Sequence, residues 1–212
     1  VALVRFPPIE EVPEALRGKF ALHLRYAFVG GEAEGERILA PLRDAAPAFL
    51  DLVGEMPTSQ IGSIHNDGDQ PGPAWDRGMQ LKDIDQDFVT AFLARAGAGS
   101  DLPFIAIEIR HIGGAAAAEQ HGETAVGGRQ APFTLVMLGV PVPELFDDEL
   151  PQKSDYIVAG ILPWIADETN INFLGHVAST QQYASAWPVD AFDRLARARR
   201  TWDPDKLFAY GP

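Results

Sequence analysis

Two segments constrain this 212-residue chain more than any other part of it: residues 104–112, Phe-Ile-Ala-Ile-Glu-Ile-Arg-His-Ile, and residues 133–140. Both are rich in β-branched and large apolar residues, and only a Gly- and Ala-rich connection without helical periodicity lies between them. Consecutive strands without a crossover helix pair antiparallel. Helical patterns elsewhere supply a covering layer. The expected class is therefore α+β, an antiparallel sheet with helices packed on one face, rather than a doubly wound parallel sheet.

The remaining elements follow the same reading. Residues 1–6 form a short strand closed by Pro7-Pro8, and residues 19–29 alternate as a second strand, with Phe20, Leu22, Leu24, Tyr26 and Phe28 on one face. Residues 32–46 are a helix with the stripe Ile38, Leu39, Leu42. Residues 64–73 read as a loop and 75–81 as a strand. Residues 85–96 form a helix capped by Asp85 with the stripe Phe88, Val89, Phe92, Leu93. A helix over 148–165 ends near Pro163, residues 170–174 are a short strand, and a last helix over 190–201 carries Phe192, Leu195 and Ala196. Asp203-Pro204 stops it.

Composition excludes several classes of function. A net charge of -13 disfavours nucleic acid and anionic membrane surfaces as partners. The chain has no cysteine, which removes disulfides, thiolate nucleophiles and thiolate metal sites. No apolar run approaches the roughly 18 residues of a membrane span, and the first residues lack the length and flanks of a signal peptide. The sequence leaves the compartment open, with the cytoplasm as the first expectation. Since the chain starts in strand-like sequence without methionine, it is expected to be a processed or truncated piece.

Alternation splits residues 104–112 into two unlike faces. Ile105, Ile107, Ile109 and His111 share one, which should pack on helices. Ala106, Glu108, Arg110 and Ile112 share the other, where Glu108 and Arg110 are either a solvated pair or the floor of a polar cavity. Gly113-Gly114 permits a turn or a close approach. His23, His65, His111, His121 and His176 lack zinc-site spacing, and no metal is expected. His111 reads as a core histidine, and His65 and His121 as solvated. Trp164, Trp187 and Trp202 read as ordinary packing residues.

The segment Phe192-Asp-Arg-Leu-Ala-Arg-Ala-Arg-Arg-Thr-Trp-Asp-Pro-Asp-Lys-Leu-Phe208 resembles the C-terminus of FAD-linked oxidases of the berberine-bridge-enzyme type. Residues 107–115, Ile-Glu-Ile-Arg-His-Ile-Gly-Gly-Ala, are similar to the strand before the substrate cavity in bacterial members. Residues 35–43 and 51–57 also resemble that family, and Asn172-Phe-Leu-Gly175 resembles its Tyr-x-Asn-Phe/Tyr motif.

The resemblance implies the C-terminal, substrate-side half of a flavoenzyme that oxidises a small organic substrate by hydride transfer. FAD would be held mainly by an N-terminal half that this chain does not resemble, often through a covalent link, which here cannot be cysteinyl. Residues 1–189 would be the substrate-side domain. Residues 190–212 would dock on the FAD-binding half. Glu108, Arg110 and Asn170 are then the catalytic candidates, and Asn172 and Phe173 would touch the cofactor. A homo-oligomer is also compatible.

Three departures accompany these matches. Asn170 stands where relatives carry a tyrosine, and an amide cannot take a proton at neutral pH. Val136 and Leu138 occupy a strand where relatives carry polar residues, and Gly128 replaces a histidine before Arg129. A non-catalytic α+β ligand-binding or oligomerisation module is the alternative reading.

Overall fold

The computed structural model describes residues 1–65, 71–117, 124–177 and 179–208; His121 and part of the loop at 64–73 lie outside them. Five strands, β1 (Ala2–Arg5), β2 (Phe20–His23), β3 (Asp76–Leu81), β4 (Phe104–His111) and β5 (Phe133–Gly139), form one sheet in the order β2-β1-β4-β5-β3. The pairs β1 with β4, β4 with β5 and β3 with β5 are antiparallel. The helices are α1 (Glu32–Ala45), α2 (Gln86–Ala96), α3 (Glu149–Ile161), α4 (Thr180–Ala184) and α5 (Val189–Trp202). The α+β architecture expected from the strand pattern is the one observed.

The core lies between one face of the sheet and the helix pair α2 and α3. Met79, Leu81, Phe104, Ile107, Leu135 and Met137 project from the sheet against Phe88, Phe92, Leu150, Ile157 and Ile161. Helix α2 starts where its sequence says it should, because the Asp85 carboxylate accepts the Phe88 N–H at 2.7 Å. The hydrogen bond to Phe88, and next the one from Trp164 Nε1, hold the Asp85 carboxyl below its ordinary range. Arg5 closes the other end of α2, donating to the carbonyls of Ala96 and Gly97. Burial lowers the pKa of its guanidinium.

Strand β4 does not keep its alternation throughout. Phe104 pairs with Gly139 and Ala106 with Leu138, so Ile105 is the extra residue of a β-bulge. Phe104, not Ile105, therefore joins the core, and Ile105 is exposed. His111 is also exposed, stacked on Phe133 with ring centroids 5.0 Å apart, and is not a core histidine.

The strand expected over residues 19–29 stops at His23, leaving Leu22, Leu24 and Phe28 exposed. Its neighbour β1 spans only Ala2–Arg5, and the Phe6 N–H donates to the Lys19 carbonyl, so β2 runs back along β1 and His23 falls opposite its first residues, where the ladder ends. The chain divides into two compact units, Val1–Leu22 with Gly72–Pro212, and His23–Pro71. Within the second, α1 buries only Leu39, while Arg43 bridges Glu36 and Asp51. Of the apolar stripe Ile38, Leu39 and Leu42, the first and last are exposed.

The outer edge of β3 is covered at two points. Lys82 N–H donates to Trp164 O, Ala166 N–H to Gln80 O, and His176 N–H to Asp76 O, with bridges between Leu81 and Ile165 and between Arg77 and Gly175. Residues 167–173 arch between these anchors. The expected strand at 170–174 is instead a 3-10 turn, Ile171–Phe173. Asn170 makes it so: its side-chain oxygen accepts the Asn172 N–H at 2.9 Å and its carbonyl accepts the Phe173 N–H, a local solution that competes with a ladder. Among the described residues no helix is long and apolar enough to cross a membrane, and no group of three or more acidic or histidine side chains is placed to hold a metal.

Candidate functional site

Register places a second set of side chains on the face of the sheet that α2 and α3 leave uncovered. In β4 these are Ala106, Glu108 and Arg110; opposite them in β5 stand Leu138, Val136 and Thr134; beyond those in β3 stand Asp76, Gly78 and Gln80. Arg110, Thr134 and Gln80 form one row straight across three strands. A core face would not tolerate such a row.

Glu108 and Arg110 form an ion pair at 2.8 Å, but not a solvated one. Glu108 is 7% exposed, whereas the Arg110 side chain is 38% exposed. The Arg110 guanidinium carbon lies 5.2 Å from the centre of the Phe173 ring, a cation–π arrangement. Phe173 reaches it because Gly78 lets the arch sit directly on the sheet: a Cβ at position 78 would lie 2.0 Å from the Phe173 carbonyl oxygen. The structure thus brings together Glu108, Arg110 and Phe173. Asn170 is committed to capping its own turn, and Asn172 is exposed on that turn.

Several polar atoms here have no partner. Arg110 Nε, Thr134 Oγ1 and Gln80 Oε1 are buried without a hydrogen bond among the described residues, although Gln80 Nε2 donates to Gly128 O at 3.1 Å. Buried unpaired groups cost stability, and a cluster of them marks a surface shaped for something other than folding. Asp76, at the end of the same face, has its pKa raised by burial. Gln80, Thr134 and Asp76 are not candidates from sequence alone. Only the cross-strand register, which pairs Arg110 with Thr134 and Thr134 with Gln80, brings them out.

The C-terminal segment is built with equal care. The Asp203 carboxylate accepts the N–H groups of Leu207 and Phe208 at 2.6 and 3.1 Å, and Arg199 donates to the Phe208 carbonyl. This fold-back leaves Trp202, Leu207 and Phe208 at 85%, 83% and 72% exposure. Trp202 is therefore not an ordinary packing residue. Trp164, by contrast, packs edge-on against Phe88, and Trp187 lies between Tyr183 and Phe192.

No protein-family model matches the chain, and no curated protein does. Solved structures do match it. They include BBE-like 1 of Physcomitrella patens (TM-score 0.66, 12% identity) and a carbohydrate oxidase of Microdochium nivale in complex with a substrate analogue (0.64, 15%). A third is 6-hydroxy-D-nicotine oxidase of Arthrobacter nicotinovorans (0.62, 15%). Each match covers 84% of this chain, but the chain spans only 41–42% of those proteins. Its antiparallel sheet backed by helices is thus the fold of a portion of the BBE-like oxidases, in agreement with the motif resemblance.

Proposed function

We propose that this chain is the substrate-side portion of an FAD-dependent oxidoreductase, and that the flavin-binding portion lies outside these 212 residues. The observation that carries the reading is the match to two-fifths of several oxidases by a domain whose second sheet face carries Glu108, Arg110, Thr134 and Gln80. Polar groups on this chain's own sheet face support the flavin reading. The sheet face offers a buried unpaired donor, Arg110 Nε, and the hydroxyl of Thr134. Asn172 and Phe173 on the arch would hold the cofactor's edge. A bound flavin supplies the two-electron acceptor.

The chain's own residues then have distinct tasks. Glu108 takes the substrate proton, Arg110 balances the charge on that carboxylate, and Phe173 keeps the guanidinium in place. Asn170 shapes the arch and moves no proton. Residues 190–212 belong with the flavin-binding portion, and Asp203 presets Trp202, Leu207 and Phe208 for that contact. Val136 and Leu138 favour a substrate with a substantial apolar body.

The test is the native gene product with its full flanking sequence. It is expected to carry flavin absorbance, and Glu108→Gln is expected to lower turnover by about 100-fold while the flavin and the fold are retained. A full-length product that takes up no FAD, alone or with a flavin-binding partner chain, would overturn the reading in favour of a binding module.

A further inference from the structure

A second polar recess lies away from Glu108 and Arg110, between the loop at 124–130 and the first turns of α5. It has a volume of about 490 Å³ and includes Arg129, Arg194, Glu168, Ala191 and Leu195 in its walls. We infer that it is a site for a small oxyanion, a carboxylate or phosphate carried on an apolar skeleton. The inference does not depend on the flavin reading.

Four observations support it. First, the backbone that presents Arg129 is locked. Gly128 N–H donates to Glu168 at 3.1 Å, Gly128 O accepts from Gln80, and Gly127 N–H donates to Ala186 O. At both glycines a Cβ would collide, with Ala186 O at 2.4 Å from position 127 and Gln80 Cγ at 2.8 Å from position 128, where φ is +75°. Such packing fixes the backbone from which Arg129 projects, which lowers part of the ordering cost a ligand must overcome. Second, Arg129 Nε is buried and has no hydrogen-bond partner among the described residues.

Third, Arg194 lines the same recess from the second turn of α5, so two guanidiniums border one cavity in a chain of net charge -13. A guanidinium matches a carboxylate or phosphate through paired N–H donors. Fourth, α5 begins at Val189 after Pro188 with no side-chain cap, and Pro188 and Ala191 line the recess. The uncapped first turn adds N–H groups and the positive end of the helix dipole.

Two carboxylates temper this charge without cancelling its geometry. Glu168 is turned onto Gly128 N–H, and Asp190 lies in the first turn of α5. Ala191 and Leu195 supply the apolar wall for the rest of the ligand.

The experiment titrates the chain with inorganic phosphate and, separately, acetate, following the thermal unfolding midpoint against chloride at matched ionic strength. Binding to the native state raises the midpoint with the logarithm of one plus the ratio of anion concentration to dissociation constant. A specific rise with either anion in the wild type, with apparent affinity weakened at least tenfold in Arg129→Gln, supports the site; which anion does so separates a phosphate ester from an organic acid. No rise beyond chloride, or an undiminished response in Arg129→Gln, overturns it. Should Arg129→Gln fail to fold, Arg194→Gln on the exposed helix surface decides by the same criterion.

Discussion

The two faces of the sheet are made by the same strands and differ in almost everything else. Toward α2 and α3, Leu135 and Met137 of β5 are wholly buried among apolar side chains. On the other side the same strand presents Thr134, whose hydroxyl is just as buried yet has no partner among the described residues. One face gains free energy by excluding water, and the other gives some of it up to keep polar groups in a row. The difference shows that burial alone does not identify a core; satisfaction of the buried atoms does.

The largest way to test that contrast is on the helix-facing side. Leu135→Ala should destabilise the domain by about 3 kcal/mol, through lost transfer energy and a cavity the packed helices cannot fill, measured by denaturant unfolding. On the opposite face, Thr134→Val should be close to neutral or stabilising, within about 1 kcal/mol, since it removes an unpaired buried hydroxyl at nearly constant volume. A loss as large as that at Leu135 would show that the polar row is structural after all.

The smallest effects are pH-dependent and have opposite signs. Asp85, on the helix side, has a lowered pKa in the folded state; the stability it contributes is present above the ordinary carboxylate range and is lost as pH falls through the folded value. Asp76, on the polar face, has a raised pKa; its ionisation weakens the fold as pH rises from the ordinary carboxylate range through the folded value. Unfolding midpoints of Asp85→Asn and Asp76→Asn across mildly acidic pH should therefore diverge, the first variant losing stability at neutral pH and the second gaining it. Parallel curves would remove the distinction.

Local rules account for what was legible in the sequence. Strands β4 and β5 and the Asp85 cap of α2 are written in alternation, periodicity and residue type, and these carry through to the fold except at the Ile105 bulge. The pair Glu108 and Arg110 was visible for the same reason, since both lie on one face of one strand. What escaped depends on partners distant in sequence. The strand at 19–29 was cut short by the length of β1, and Asn170 turned its segment into a 3-10 turn by bonding to its own backbone. Gln80 and Thr134 joined the candidate site only through register with Arg110, a relation no single segment contains.

The bulge at Ile105 has one more consequence. It separates the phase of the strand's anchor from the phase of its chemistry: Phe104 is seated in the core on one side of the irregularity, while Glu108 and Arg110 keep their own facing on the other. A deletion of Ile105 would leave a regular strand with both settings preserved. Comparisons that align such domains by counting residues from the start of this strand will fall one position out of step wherever the bulge is missing, and should count back from Gly113-Gly114 instead.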